Sequence, residues 1–160
     1  MIRRGLRGFA RLLPAGKSGS PPRPELRSAA PSVDGQPMRL LLGLSIALDW
    51  ADGASSAVAQ SLVERLGARA EALCADPDGS NINRGCGSSH PEVLAAHVAR
   101  GRFDLGFAFD GDADRALLID AQGVVRDGDA MLYLWAADLA AAGELDPAAI
   151  VATSMSKLGL

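Results

Sequence analysis

Three aspartates, Asp110, Asp112 and Asp114, alternate with small residues directly after a predicted buried strand. In a tight turn, alternate carboxylates can converge on one hard cation, because the intervening glycine and alanine leave the backbone free to bend. Oxygen ligands suit Mg²⁺ or Ca²⁺, and three converging carboxylates without a cation would repel one another. Arg115 can pair with these carboxylates or bind a phosphate bidentately. The spacing therefore indicates a cation site beside a phosphate contact.

Two other motifs and one purely structural alternative fit this loop less well. A calcium-binding EF-hand needs Gly at its sixth position and Glu at its twelfth, where this sequence has Arg115 and Ala121. A haloacid-dehalogenase-type site would make Asp110 a nucleophile and Asp112 an acid/base. That family usually has Thr or Val where this chain has Asp114. A solvated acidic turn remains the structural alternative.

The rest of the chain must position this loop, and its hydrophobic pattern predicts strands alternating with helices. A Ser-x-x-Glu capping box is predicted at the start of the second helix, with Ser89 as N-cap and Glu92 at N3. The predicted strands are 40–48, 68–73, 105–109, 116–120 and 150–153, and the predicted helices are 55–66, 90–100 and 129–142.

This alternation predicts an α/β fold, a three-layer α/β/α-type domain with a mixed, mainly parallel sheet. Only six residues link strands 105–109 and 116–120, so these two strands should be antiparallel. Ligands of such sheets gather at the carboxyl ends of strands. The turn at 49–53 and the loop at 110–115 both follow such ends.

Charge and composition divide the chain. Residues 1–40 carry eight basic and two acidic residues, whereas the remainder is acidic. Residues 1–37 are rich in Pro, Gly and Ser and are predicted to form a disordered basic leader. The sequence at 15–18 lacks the first Gly of a phosphate-binding P-loop. No apolar run approaches the roughly 20 residues that span a bilayer.

Cys74 and Cys86 have neither CxxC spacing nor a Cys/His partner set. A zinc module and a disulfide scaffold are therefore not expected, and a reducing compartment is the default.

The motifs together resemble the α-D-phosphohexomutase family, most closely the branch of bacterial phosphoglucosamine mutases. Asp-Gly-Asp-Ala-Asp-Arg at 110–115 is similar to the metal-binding loop of that family. The flanking segments are similar to its neighbouring motifs, with Asp52 where the family usually has Asn. These segments are 49–54, 81–92, 103–109, 127–129 and 153–160.

The resemblance implies a Mg²⁺-dependent phosphotransfer that interconverts glucosamine 6-phosphate and glucosamine 1-phosphate. It implies that Asp110, Asp112 and Asp114 are the metal ligands and that Arg115 lies beside the transferring phosphoryl group. The nucleophile of the family is a phosphoserine in another domain, so no catalytic nucleophile is assigned in this chain. Ser89 precedes His-Pro and fits a helix cap better than a phosphoserine.

The resemblance further implies a domain division: a second-domain-like unit at 38–146 and a truncated start of the third domain at 147–160. We therefore expect a fragment of a phosphoglucosamine mutase that is inactive alone. The alternative is a non-catalytic stand-alone metal- or phosphate-binding domain, or a remnant of a phosphomannomutase or phosphoglucomutase.

The expected partner is a phosphosugar, bound in the intact enzyme. No nucleic-acid or membrane partner is expected, and the expected location is cytoplasmic. The predicted strand 150–153 would be an unpaired apolar edge, which predicts self-association.

Overall fold

The computed structural model describes residues 32–33, 36–37, 41–57 and 59–156. Two short strands, Ser32–Val33 (β1) and Gln36–Pro37 (β2), pair antiparallel within the segment expected to be a disordered leader. The rest of that leader, the start of the first predicted strand at residue 40, and residues 157–160 lie outside the described residues.

The core of the domain is a mixed five-stranded sheet in the order β4–β3–β5–β6–β7. Strands β4 and β5 both run parallel to β3, while β6 is antiparallel to β5 and to β7. Four of the five strands therefore point the same way, as the predicted mainly parallel sheet requires. The strands are Ser45–Asp49 (β3), Arg69–Leu73 (β4), Leu105–Phe109 (β5), Ala116–Asp120 (β6) and Val125–Arg126 (β7).

Three predicted strands are confirmed almost residue for residue, and the first is corrected. The apolar run that starts at Leu40 does not form one continuous strand. Leu41 and Gly43 lie in a turn, closed by the Leu44 N–H donating to the Leu41 carbonyl at 3.0 Å, and β3 begins only at Ser45. Strand β7 was not predicted, because a strand of two residues is too short to show an alternating hydrophobic pattern.

Helices cover both faces of the sheet and give the predicted three layers. On one face, Leu94 and Val98 pack with Ala47, Ala108 and Ile119. On the other face, partly buried side chains of the first helix pack against Ile46, Leu48 and Trp50 of β3 and the turn that follows it. The α-helices are Ala59–Arg65 (α1), Pro91–Gly101 (α2) and Gly128–Ala141 (α3), and a 3₁₀ turn, Ala54–Ala57, precedes α1.

The predicted capping box of α2 is wrong. The N-cap residue is His90, its side chain makes no capping hydrogen bond to the backbone, and Pro91 occupies the first turn. Ser89 instead belongs to a 3₁₀ turn, Gly87–Ser89. Proline favours the first helical position, so α2 starts at Pro91 with His90 as N-cap, one residue later than the box predicts.

The predicted strand at 150–153 is also wrong. Residues 150–153 form no strand, because no described strand lies beside them to accept their hydrogen bonds. Ile150 instead contributes to an apolar groove with Leu132, Ala136, Leu139 and Leu145. Trp135 also lines this groove and is 62% exposed.

None of the helices within the described residues has the length and apolar character needed to cross a membrane.

Candidate functional site

The site lies at the carboxyl edge of the sheet, where β3 and β5 end side by side. These strands are parallel neighbours, so the turn after Asp49 and the loop after Phe109 emerge at the same edge. The Ala54 N–H donates to the Gly111 carbonyl at 2.9 Å and ties the two loops together. The two segments that the sequence placed at this edge are therefore in contact.

The contact between these loops requires a glycine at position 53. A Cβ built on Gly53 would lie 2.2 Å from the Gly111 oxygen and 2.7 Å from its Cα. Both are backbone atoms, which cannot rotate aside as a side chain would. The close approach fixes the aspartate loop against the turn that follows β3.

The three predicted metal ligands come together in the hairpin loop between β5 and β6. One carboxylate oxygen from each of Asp110, Asp112 and Asp114 lies within 4.8 Å of the others. The Ala113 N–H donates to the Asp110 carbonyl at 3.0 Å, and Ala113 adopts the left-handed conformation with φ of 59°. This tight turn places alternate side chains on one side of the loop.

Arg115 anchors the first of these aspartates. Its backbone N–H donates to Asp110 Oδ1 at 3.1 Å, and its Nε donates to Asp110 Oδ2 at 2.8 Å. The Nε also lies 3.3 Å from Asp114 Oδ1. Asp110 is buried, whereas the Arg115 side chain is 79% exposed. The buried carboxylate is thus held in place by an arginine that reaches into solvent.

The same contacts set the charge of the loop. Desolvation raises the pKa of Asp110, but the Arg115 backbone N–H and guanidinium stabilise the ionised form more strongly, so the pKa lies below its ordinary value. In turn, Asp110 first and Asp114 second raise the pKa of Arg115. At neutral pH Asp110 is therefore ionised and Arg115 is protonated.

This donor set fits a hard divalent cation. All three candidate ligands are carboxylates, and one arginine balances only part of their charge. Asp112 and Asp114 are exposed, so a cation held between them would remain open to a phosphate oxygen from outside the loop. Oxygen donors with open coordination positions suit Mg²⁺, which usually keeps several of its waters.

The loop at 75–86 covers the aspartate loop from a third direction. The Asn83 N–H donates to the Ala51 carbonyl at 2.8 Å. A Cβ on Gly111 would meet Ile82 Cδ1 at 2.4 Å and Asn83 Nδ2 at 2.9 Å. This loop therefore packs directly on Gly111 within the aspartate loop.

A second cluster at the same edge was not anticipated. Asp49, Cys74 and Cys86 bring one ligand atom each to within 4.8 Å of one another, although the cysteines are twelve residues apart in sequence. Burial first, then the contact with Cys86 and the charge of Asp49, raise the pKa of Cys74 to about 12. Burial likewise raises the pKa of Cys86. Both thiols are therefore poor nucleophiles at neutral pH.

Asp120, a further buried carboxylate, has a structural role. Its Oδ2 accepts hydrogen bonds from the Arg126 Nε at 2.9 Å and Nη2 at 2.7 Å, and its Oδ1 accepts the backbone N–H groups of Gln122 and Val124. These bonds close the turn between β6 and β7.

An open α/β sheet with loops that meet at its carboxyl edge defines the class of α/β domains whose ligands bind at that edge. Residues 28–123 match the family described as "Phosphoglucomutase/phosphomannomutase, alpha/beta/alpha domain II". This match spans more than half of the chain, and the chain belongs to that family.

Curated relatives agree with this assignment. The chain is 49% identical over 120 residues to the phosphoglucosamine mutase of Desulfovibrio desulfuricans, covering 75% of this chain and 27% of that protein. It is 51% identical over 120 residues to the phosphoglucosamine mutase of Rhodococcus erythropolis, with the same two coverages. The chain spans about a quarter of the length of these relatives.

A solved structure supports the fold. The crystal structure of a phosphoglucomutase/phosphomannomutase family protein from Burkholderia thailandensis matches with a TM-score of 0.55 and 30% sequence identity. The match covers 62% of this chain and 22% of that one.

Proposed function

We propose that the chain supplies the Mg²⁺-binding domain of a phosphoglucosamine mutase, which interconverts glucosamine 6-phosphate and glucosamine 1-phosphate. The observation that carries the proposal is the convergence of three aspartate oxygens within 4.8 Å beside a largely exposed arginine. The two relatives named above, both phosphoglucosamine mutases, support the choice of sugar.

Asp110, Asp112 and Asp114 would hold the Mg²⁺. The bound ion would offset charge on the transferring phosphoryl group, as metal ions do in phosphoryl transfer. Asp110 keeps its position through the two hydrogen bonds from Arg115, so the loop needs little rearrangement to accept a cation. Preorganisation of this kind lowers the cost of binding.

Arg115 would contact the phosphoryl group. Its side-chain hydrogen bonds to described residues both come from Nε, so its terminal Nη groups can donate to a phosphate. A guanidinium beside carboxylates stays protonated, and it can bind phosphate oxygens bidentately. Arg115 would therefore orient the phosphate next to the cation.

The phosphosugar partner and the cytoplasmic location belong to the same proposal. The family description also names phosphoglucomutase and phosphomannomutase, so glucose and mannose phosphates are the second candidate substrates. A location in a reducing compartment agrees with the two free cysteines.

The test is a domain exchange. The aligned 120 residues of the Desulfovibrio desulfuricans enzyme are replaced by those of this chain, and mutase activity is assayed on glucosamine, glucose and mannose 6-phosphates. We expect activity on glucosamine 6-phosphate that falls at least about 100-fold in the Asp112→Asn version. A folded chimera without activity would favour a non-catalytic domain. Higher activity on the other two sugars would contradict the choice of substrate.

A further inference from the structure

A second cluster of oxygen- and sulfur-bearing side chains lies at the same edge of the sheet. Asp49 is the last residue of β3, Cys74 follows β4, and Cys86 precedes the 3₁₀ turn Gly87–Ser89. One oxygen and two sulfurs lie within 4.8 Å of one another. Asp49 and Cys86 are fully buried, while Cys74 is partly accessible and offers a route of entry.

The carboxylate of Asp49 is oriented but lacks a counter-charge. Its Oδ1 accepts the Ala51 N–H at 3.0 Å and its Oδ2 accepts the Gly87 N–H at 2.8 Å. Each oxygen keeps a further lone pair for a ligand. Within residues 41–57 and 59–156, no basic side chain forms an ion pair with Asp49 or with neighbouring Asp52. A buried carboxylate without a cationic partner is costly, and a bound cation would relieve that cost.

The donor set selects the kind of cation. Two sulfurs and one carboxylate oxygen suit a thiophilic divalent ion such as Zn²⁺, and disfavour Mg²⁺. Tetrahedral zinc with these ligands would need donor separations of about 3.5–3.8 Å. The three donor atoms already lie within 4.8 Å of one another, so they would need to move by no more than about an ångström to reach these separations.

We propose that Asp49, Cys74 and Cys86 form a binding site for one thiophilic divalent cation of the zinc class. Three protein ligands leave a fourth position for water. The two cysteines flank the loop that packs on Gly111 through Ile82. A cation bound here would clamp that loop against the sheet, next to but separate from the aspartate loop.

The first test is a Co²⁺ titration of the full 160-residue chain, stripped of metal with a chelator and kept reduced. We expect a thiolate-to-cobalt charge-transfer band that saturates at one ion per chain and disappears on adding Zn²⁺. Cys74→Ser should weaken binding at least tenfold, whereas Asp112→Asn should keep the band because it alters only the aspartate loop. Absence of the band, or an equal band in Cys74→Ser, would overturn the proposal.

A second measurement needs no variant and so does not depend on how a substituted chain folds. Alkylation of the two thiols in the wild-type chain is followed by mass spectrometry with Zn²⁺, with Mg²⁺, or with neither. We expect Zn²⁺ to slow alkylation of both thiols at least tenfold and Mg²⁺ to have no effect. Equal rates, or a Cys74–Cys86 disulfide in the chain as purified, would refute the site.

Discussion

Substituting Gly53 by alanine tests whether the aspartate loop is held by direct backbone contact. The new Cβ would lie 2.2 Å from the Gly111 oxygen, about 1.2 Å short of the 3.4 Å at which ordinary contact begins. The obstructing atoms are backbone, so relief requires the two loops to separate. Separation would break the hydrogen bond from Ala54 to Gly111.

Overpacking of this kind costs about 1–3 kcal/mol of the free energy of unfolding. With a urea dependence of about 1–3 kcal/mol per molar, the midpoint of unfolding should fall by about 1 M. The shift of Gly111 should also spread the three carboxylates and weaken Mg²⁺ binding. Urea unfolding followed by circular dichroism, and calorimetric titration with Mg²⁺, measure the two effects.

Gly128→Ala is the matched control. Gly128 begins α3, and a Cβ there meets nothing within 4 Å. Alanine should therefore stabilise the protein by about 0.5–1 kcal/mol through its higher helix propensity. A Gly53→Ala protein with the midpoint and Mg²⁺ affinity of the wild type would refute the account of how the loop is positioned.

Three further predictions concern charge, association and turnover. Arg115 lowers the pKa of Asp110, so their contact stabilises the fold above the ordinary carboxyl pKa, and this stability is lost as the pH falls through the lowered pKa of Asp110. Arg115→Gln should therefore raise the pKa of Asp110 in a carboxyl NMR titration. An unchanged pKa would contradict the anchoring role of Arg115. Val151 and Met155 are 92% and 88% exposed, so they should promote self-association at tens of micromolar, measured by sedimentation. Val151→Asp should shift the chain toward monomer. A wild-type chain that is already monomeric would contradict the predicted self-association. The 160-residue chain alone should show no mutase turnover with glucosamine 6-phosphate, Mg²⁺ and catalytic bisphosphate, because positioning supplies most of phosphoryl-transfer catalysis. Turnover that Asp110→Ala abolishes would contradict this prediction and point to a nucleophile in this chain. Ser89 would then be the first residue to mutate.

The sequence was a good guide to the elements that carry strong periodicity. Strands β4, β5 and β6 and helix α2 have clear apolar patterns, and their positions follow from those patterns. The aspartate loop was also predictable, because alternation of carboxylates with small residues is a local property. The position of the turn at 49–53 beside this loop was predictable as well, because the carboxyl ends of parallel strands lie at the same edge of the sheet.

Contacts between distant segments were not predictable in the same way. Nothing local in the sequence shows that Cys74 and Cys86 meet at Asp49, since their proximity depends on the path of the loop between them. The Ser89 capping box failed because His90 and Pro91 already set the start of the helix. The strand expected at 150–153 failed because strands need a hydrogen-bonding neighbour, which an apolar pattern alone does not provide.

The most direct test of the central claim is the binding of Mg²⁺ to the aspartate loop, measured by calorimetric titration of the full chain. We predict one site with millimolar affinity, about 4 kcal/mol, because Mg²⁺ surrenders its waters reluctantly and only carboxylates are offered. Asp112→Asn should abolish binding, while Asp138→Asn, which removes a carboxylate from α3, should leave it unchanged. Equal binding by all three proteins would contradict the claim that this loop is the magnesium site.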